Sequence, residues 1–335
     1  MRTPSGERPS RVTHGEIEQA IALGLRAPSL HNTQPWHWRV TDGGFELFAD
    51  ESRQLPVTDP DQHGLLISCG AALELARLGL AARGWATEVD RLPDPGQSTL
   101  LARVRATTWS EPDRATDERA AAAWRRRTER RPFRAEPVSD TLIDAIVERG
   151  TGEGAYLHAI RREAELLGLE VVTSHANADE IRDPGYRREL ATWTGAEGRD
   201  DGVPPTAVPH LAAGEERQSD IELRDFELGT EGRQPLGKVG VEHPAVLALL
   251  TESDDRASWL RAGEALGRVL VEAERLGLAA APFTQPVDRP GWRSRLRVLM
   301  GWLDHPQFLL RVGWPPTDGT SSVTPRRDLP QVLDE

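Results

Sequence analysis

The stretch Ala27-Pro28-Ser29-Leu30-His31-Asn32-Thr33-Gln34-Pro35-Trp36 constrains the chain more than any other. Proline fixes φ at about −65° and removes a backbone donor, so a helix arriving from upstream stops at Pro28 and a new element starts after Pro35. Between the two prolines, Ser29, Asn32, Thr33 and Gln34 place four hydrogen-bonding side chains on a backbone that cannot continue as helix. Such a segment suits a rigid loop that holds a polar, planar ligand. The commoner use of these residue types is a connector whose side chains satisfy its own backbone, and spacing alone favours that use.

The flanks fit a loop between a helix and a strand. Thr13-x-x-Glu16 is a capping box, and Ile17, Ala20, Ile21 and Leu25 repeat behind it at helical spacing. Trp36 to Val40 and Phe45 to Phe48 flank Asp42-Gly43-Gly44, a hairpin pattern. Leu65 to Ala82 predicts a core helix, and Leu100 to Val104 a further strand. A second unit begins near Trp124, with Ser139 placed to cap a helix carrying Leu142, Ile143, Ile146 and Val147. Gly263 and Gly277 repeat the spacing of Gly70 and Gly84, and Leu309-Leu310-Arg311-Val312 echoes Leu101-Ala102-Arg103-Val104. A competing register matches Leu276–Ala280 to Leu78–Ala82, so the repeat is weak by itself.

At 335 residues and 38% apolar content the chain has the length of about two ordinary domains. Its formal charge of −12 argues against a general affinity for nucleic acid or anionic membrane. With Cys69 as the single cysteine, no internal disulfide and no cysteine-rich metal site can form, and Cys69 itself reads as an inert core residue. Met1 to Arg11 lack the apolar region of a signal peptide, and no run approaches the ~18 apolar residues of a membrane span; the expectation is a cytoplasmic protein with a loose N-terminal tail. Gly150-Thr-Gly-Glu-Gly154 lacks the spacing of a dinucleotide fingerprint and follows a helix. The nine histidines are scattered and advertise no metal site.

Pro28-Ser29-x-x-Asn32-x-Gln34-Pro35-Trp36 resembles the Pro-Ser-Ser-x-Asn-x-Gln-Pro-Trp signature of the FMN-dependent nitroreductase family, with Leu30 where the second serine often stands. The fuller Ala-Pro-Ser-x-His-Asn-Thr-Gln-Pro-Trp form is similar to the tandem, lid-bearing actinobacterial group of that family, some members of which are linked to dormancy. The resemblance implies an α+β nitroreductase-like fold in which two related halves, 1–120 and 121–335, form an intramolecular pseudo-dimer, so that a monomer suffices. It also makes the Gly- and acid-rich insertion at about 193–236 a lid over a flavin, held down by Leu211, Ile221, Leu223, Phe226 and Leu228. A solvated loop is the plain alternative for that insertion.

The resemblance then assigns residues. Pro28, Ser29, Asn32 and Gln34 would touch the flavin. The run Arg125-Arg126-Arg127-Thr128-Glu129-Arg130-Arg131 is the densest positive charge in the chain, and guanidinium forks with a hydroxyl suit a phosphate monoester. Within it, Arg126, Arg127, Thr128 and Arg130 match the family's Arg-x-Ser-x-Arg segment. Pro282, Phe283, Thr284 and Gln285 follow the family's Gly-Leu-Gly-type segment and would offer main-chain donors to the reduced ring. Arg326 and Arg327 match its C-terminal basic residues. His31 lies close enough in sequence to approach the flavin, with a packed structural histidine as the equal alternative, and the ten tryptophans read as core or ligand wall.

The function so implied is an FMN-binding, NAD(P)H-dependent oxidoreductase that passes a hydride through flavin to a small-molecule acceptor such as a quinone or nitro compound. No catalytic side chain and no metal are needed, because the cofactor carries the chemistry. Two alternatives remain from the sequence: a flavin-storing protein whose lid occludes the site, and an FMN-dependent dehydrogenase or oxidase of a biosynthetic pathway.

Overall fold

The structure, a computed structural model, describes residues 9–195, 197–210, 221–236, 241–317 and 321–334. Of the expected features, Leu211 and the first eight residues of the N-terminal tail lie outside the described residues.

Helix α1 (His14–Gly24) starts where the capping box puts it. Thr13 Oγ1 accepts from the Glu16 amide at 3.3 Å, and the Glu16 carboxylate accepts from the Thr13 amide at 2.8 Å, which satisfies two donors that the first turn cannot. After the proline-pinned loop, β1 (Trp36–Thr41) and β2 (Gly44–Ala49) form the hairpin, with Thr41 opposite Gly44. Gly43 turns the chain at φ +86°, a conformation that only glycine adopts without strain. Helix α2 (His63–Ala81), β3 (Trp85–Arg91) and β4 (Leu100–Trp109) complete an antiparallel sheet of order β1-β2-β4-β3.

Helix α3 (Arg114–Arg125) spans the expected division of the chain. The elements after it are α4 (Asp140–Gly150), β5 (Ala155–Ile160), α5 (Glu163–Arg182), α6 (Pro184–Trp193), the short pair β6 (Pro209–His210) and β7 (Gln234–Pro235), and β8 (Ala245–Thr251). Then come α7 (Arg256–Arg275), β9 (Ala279–Pro282), α8 (Gln285–Asp288), α9 (Pro290–Met300) and β10 (His305–Gly313). Ser139 sits at the N-cap of α4, but its side chain makes no capping bond, contrary to the expectation.

The second sheet has the order β5-β8-β10-β9, so each strand takes the place of its counterpart in the first. Helices α2 and α7 pack against one another between the sheets. A Cβ on Gly70 would lie 2.1 Å from the Leu260 carbonyl oxygen, and one on Gly263 would lie 2.2 Å from that of Ile67. The two helices therefore meet backbone to backbone at a reciprocal contact, which no larger residue permits. The repeat register that pairs Gly70 with Gly263 is the one the fold uses. Its rival sets the end of a helix, Leu78–Ala82, against a segment that enters strand β9.

One continuous core joins the halves, with Ile17, Trp36, Trp38 and Leu66 from the first in the same cluster as Ile146, Leu247, Leu260 and Leu266 from the second. Against the expectation, α2 is long and apolar enough to cross a membrane; it is instead mostly buried in this core. Cys69 on α2 is fully buried, and burial pushes its thiol pKa up, as an inert residue requires. The C-terminal tail returns to the first sheet: Trp38 donates to Val332 O at 2.7 Å, and Asp334 donates to Trp38 O at 2.8 Å.

Candidate functional site

Segments from both halves converge on a cleft with about 1050 Å³ of empty space counted out to its mouth. One wall is the loop Pro28, Ser29, Leu30, His31 with the first turns of α2, His63, Gly64, Ile67 and Ser68. The facing wall is Thr128, Glu129 and Arg130, the end of β9, and α8 through Asp288. Pro209, Leu223, Arg224 and Phe226 of the insertion cover it.

Of the residues expected to form a site, Pro28, Ser29, Thr128, Arg130, Pro282, Phe283, Thr284 and Gln285 line the cleft; Asn32, Gln34, Arg126, Arg127, Arg326 and Arg327 do not. Asn32 Nδ2 donates to Gly202 O at 2.9 Å and to Pro325 O at 3.1 Å, and its Oδ1 accepts from Arg326 at 2.9 Å. Gln34 Nε2 donates to Asp200 O at 2.9 Å, while its Oε1 accepts from the Arg327 amide at 2.8 Å. These two amides tie loop, insertion and tail together behind the cleft. Arg127 donates to Ser321 O at 2.9 Å. Phe283 lines the cleft, but its amide donates to Leu309 O at 3.1 Å and offers a ligand nothing. No tryptophan lines the cleft; of the two expected uses, core or ligand wall, Trp36, Trp38, Trp85 and Trp259 take the first.

The loop is held in an unusual backbone state. His31, Asn32 and Gln34 have φ of +49°, +57° and +52°, a region that costs side-chain-bearing residues free energy and persists where surroundings over-determine it. Ser29 Oγ accepts from the Gln34 amide at 2.9 Å, and Ser68 Oγ accepts from that of Leu30 at 3.3 Å, so the two serines fix its curvature.

Behind Arg130 stand Arg26, Arg126 and Arg326, and among the described residues no carboxylate pairs with any of the four. Burial holds the Arg326 pKa well below its ordinary value, helped by Arg126, Arg26 and Arg130; burial and Arg26 bring Arg126 to about 10. The nearby acid, Glu129, is held bidentately by Arg131 at 2.9 Å on each oxygen. The Nε atoms of Arg26, Arg126 and Arg326 are buried without partners. Arg126 is buried and the other three are half-buried; Arg126 donates to Arg26 O at 2.9 Å, and Arg326 donates to Asn32 Oδ1, Thr324 Oγ1, Pro325 O and Ala27 O, so these heads meet neutral acceptors while their charge is left for an anion to balance.

Polar contacts help to fasten the insertion and the helix α6 before it. Arg53 Nη1 meets Asp201 at 2.9 Å, and Glu189 of α6 accepts from the Val57 and Thr58 amides at 2.9 and 2.8 Å. Arg224 is buried between Asp288, Glu180 at 3.2 Å and the Tyr186 hydroxyl at 2.6 Å. Burial pushes the Glu180 and Asp288 carboxyls up, to about 7 and about 6. Of the apolar residues expected to anchor the insertion, Ile221 joins a core cluster, Leu223 packs on that cluster and Phe226 reaches the cleft, whereas Leu228 is exposed.

On the opposite side of the helix pair the corresponding ground is an open hollow with about 850 Å³ of empty space counted out to its mouth, lined by Arg77, Thr87, Val89, Arg91, Glu153, Gly154 and Arg261. Counted from Gly84 and Gly277, Arg91 holds the place of Thr284; its Nε meets Glu264 at 2.6 Å, Arg77 meets the same carboxylate at 2.9 Å, and Glu153 pairs with Arg91 from the far side. The cleft and this ion-paired patch are thus unlike occupants of like positions.

The sequence did not point to Arg224, Asp288, or His63 and Gln307, whose side chains hydrogen-bond at 2.8 Å, although all four line the cleft. Arginine in an acid-rich insertion carries the signal of a surface, and the others lie in helix and strand with no motif around them.

No family model matches the chain. It is similar to a protein of Mycobacterium tuberculosis (strain ATCC 25618 / H37Rv) provisionally named NAD(P)H nitroreductase, at 38% identity over 321 residues, 95% of this chain and 91% of that one. A second protein of the same strain, provisionally named NAD(P)H nitroreductase acg, is 34% identical over 331 residues, 96% of each chain. The solved structure of the FMN and NADPH-dependent nitroreductase NfnB from sphigopyxis sp. strain HMH covers 65% of this chain and 98% of its own, at 18% identity and a TM-score of 0.41, an overlap too slight to carry an argument.

Proposed function

The chain belongs to the NAD(P)H nitroreductase family, and from that premise we propose that its cleft binds one FMN and that it is an NAD(P)H-dependent flavoprotein oxidoreductase acting on a small quinone, nitro or similar acceptor. The observation that carries this reading is the arginine cluster. Arg26, Arg126 and Arg326 leave buried guanidinium nitrogens unsatisfied beside Arg130 and Thr128, and a phosphate monoester supplies the missing charge and acceptors. The chemistry of the donor set therefore fits FMN.

Bound there, FMN supplies the hydride chemistry, so no acid–base side chain is required. The chain's own residues bind, orient and exclude water. The arginines hold the anionic end; Pro28, Ser29 and the turn at Thr284 and Gln285 wall the cleft; the seated insertion keeps solvent from it. Asn32, Gln34 and Arg327 act one step back, by fixing the loop and the tail against each other. Every wall comes from this chain, so a monomer completes the site. The ion-paired Arg91–Glu264 patch on the other side supports one cofactor per chain, not two.

The test is the visible spectrum of the purified protein and its flavin-to-chain ratio, with one FMN per chain expected. Steady-state turnover with NADPH and a quinone should give parallel lines in double-reciprocal plots. Arg126→Ala and Arg326→Ala should each weaken FMN retention by about 2 to 5 kcal/mol, since each removes a buried partner of an anion. A colourless preparation that takes up no FMN would overturn the reading.

A further inference from the structure

The open hollow opposite the cleft is continued by a second one, with Arg77 and Glu153 lining both. The second has about 1250 Å³ of empty space counted out to its mouth and shares no residue with the cleft. Four helices bring arginine to its wall: Arg77 from α2, Arg119 from α3, Arg149 from α4, and Arg268 and Arg275 from α7. In a chain of net charge −12, such a gathering is either a network of ion pairs or a place for an anion.

The partners decide between these. Arg77 meets Glu264 at 2.9 Å and Glu74 at 3.4 Å, Arg268 meets the same Glu74 at 3.4 Å, and Arg275 holds Glu272 at 2.6 and 3.0 Å. Arg119 and Arg149 are left over. Both are half-buried, and among the described residues no carboxylate pairs with either. Arg119 Nη2 donates to Thr116 Oγ1 at 3.1 Å, Arg149 makes no hydrogen bond among the described residues, and the Nε of each is buried without an acceptor. Burial, followed by the charge of Arg119, lowers the Arg149 pKa, and Glu74 and Glu272 offset only part of this. Of the remaining acids on the wall, Glu153 pairs with Arg91 and Glu148 is exposed. A place in the last turn of α4 suits the charge of Arg149, but it explains neither Arg119 nor the two unmet Nε atoms.

We propose that this hollow between α3, α4 and α7 is a second ligand site, for a compact multivalent oxyanion, gripped by the guanidinium groups of Arg119 and Arg149. Each guanidinium presents parallel N–H donors that match two oxygens of a phosphate or carboxylate group, so two of them suit an anion with at least two charges. No aromatic side chain lines the hollow, and a flavin or nucleobase would find nothing there to stack on. The ligand is therefore a small phosphate ester or a polycarboxylate. Its site stands apart from the flavin and does not rest on the cofactor reading.

The test is calorimetric titration of the full, FMN-loaded chain with inorganic pyrophosphate and, separately, with citrate, at an ionic strength held constant with chloride. One anion per chain is expected, and the tighter of the two probes tells a phosphate from a carboxylate ligand. Arg119→Gln and Arg149→Gln should each weaken that binding about tenfold or more. Arg149→Lys keeps the charge without the fork and should fall between parent and Arg149→Gln. Arg114→Gln, at an exposed position on α3 paired with Glu118, should leave binding unchanged. Neither glutamine variant gives up a carboxylate partner, so both should keep the circular dichroism and FMN retention of the parent, which separates lost binding from lost fold. Binding of neither probe overturns the proposal, as does binding that survives both glutamine variants or falls equally in Arg114→Gln. A chain without flavin should show the same difference between parent and Arg149→Gln, so failure of the cofactor reading leaves this test standing.

Discussion

Gln34 shows how a side chain that the sequence singles out can have partners that the sequence does not announce. It is fully buried, donates to Asp200 O and accepts from the Arg327 amide, so it joins positions separated by 166 and 293 residues. Gln34→Ala leaves a carbonyl and an amide unpaired in the interior, and should cost roughly 2 to 4 kcal/mol in urea denaturation while exposing the insertion to limited proteolysis. A glutamine beside proline announces that a hydrogen bond is needed; it cannot announce a partner so far along the chain, which is why Asn32 and Gln34 were legible as important and not as cross-links. Asp59 offers a second test at this scale. Burial pushes its carboxyl up to about 7, although the Gly64 and Leu65 amides donate to it at 2.9 and 2.8 Å. The folded value lies above the unfolded one, so the contribution to stability is full at low pH and is lost as pH rises through about 7. Asp59→Asn stays neutral throughout, and its Tm should fall less between pH 5 and 8 than that of the parent.

Among the elements, the helix pair α2 and α7 is the most exacting. Gly70→Ala puts a methyl 2.1 Å from a backbone carbonyl that cannot move aside alone, and should destabilise the chain by about 3 kcal/mol, read as a lower urea midpoint. Gly15→Ala in α1 meets nothing within 4 Å and should be neutral or stabilising by about 0.5–1 kcal/mol through helix propensity. Helices and strands with an apolar face, a cap or a turn glycine were readable: α1, α2, the β1–β2 hairpin and the central strands β4 and β10 lie where the pattern puts them. The spacing of Gly70 and Gly84 was visible, but not that Gly70 touches its counterpart, because a contact between two backbones leaves no side chain to carry a signal. The insertion was opaque for the opposite reason. Its fixing depends on a buried arginine and two carboxylates, residues whose presence in a sequence ordinarily means water.

As a whole molecule the chain closes on itself. The tail supplies Arg326 to the arginine cluster and an edge contact to β1, so a chain ending at Val323 should lose FMN retention and show a lower Tm together. If only the Tm falls, the tail serves the sheet alone. Because the core runs through both halves without a break, residues 1–120 should not fold cooperatively when expressed alone, which circular dichroism would read as a missing thermal transition. The Arg91–Glu264 ion pair has a wider meaning. When two identical subunits meet about an axis, any substitution appears on both sides at once, so neither pocket can change its chemistry without the other. A polypeptide that carries both halves is released from that rule. One hollow can keep its vocation while its sibling is given over to ion pairs, and selection can act on the two faces as if they belonged to different proteins.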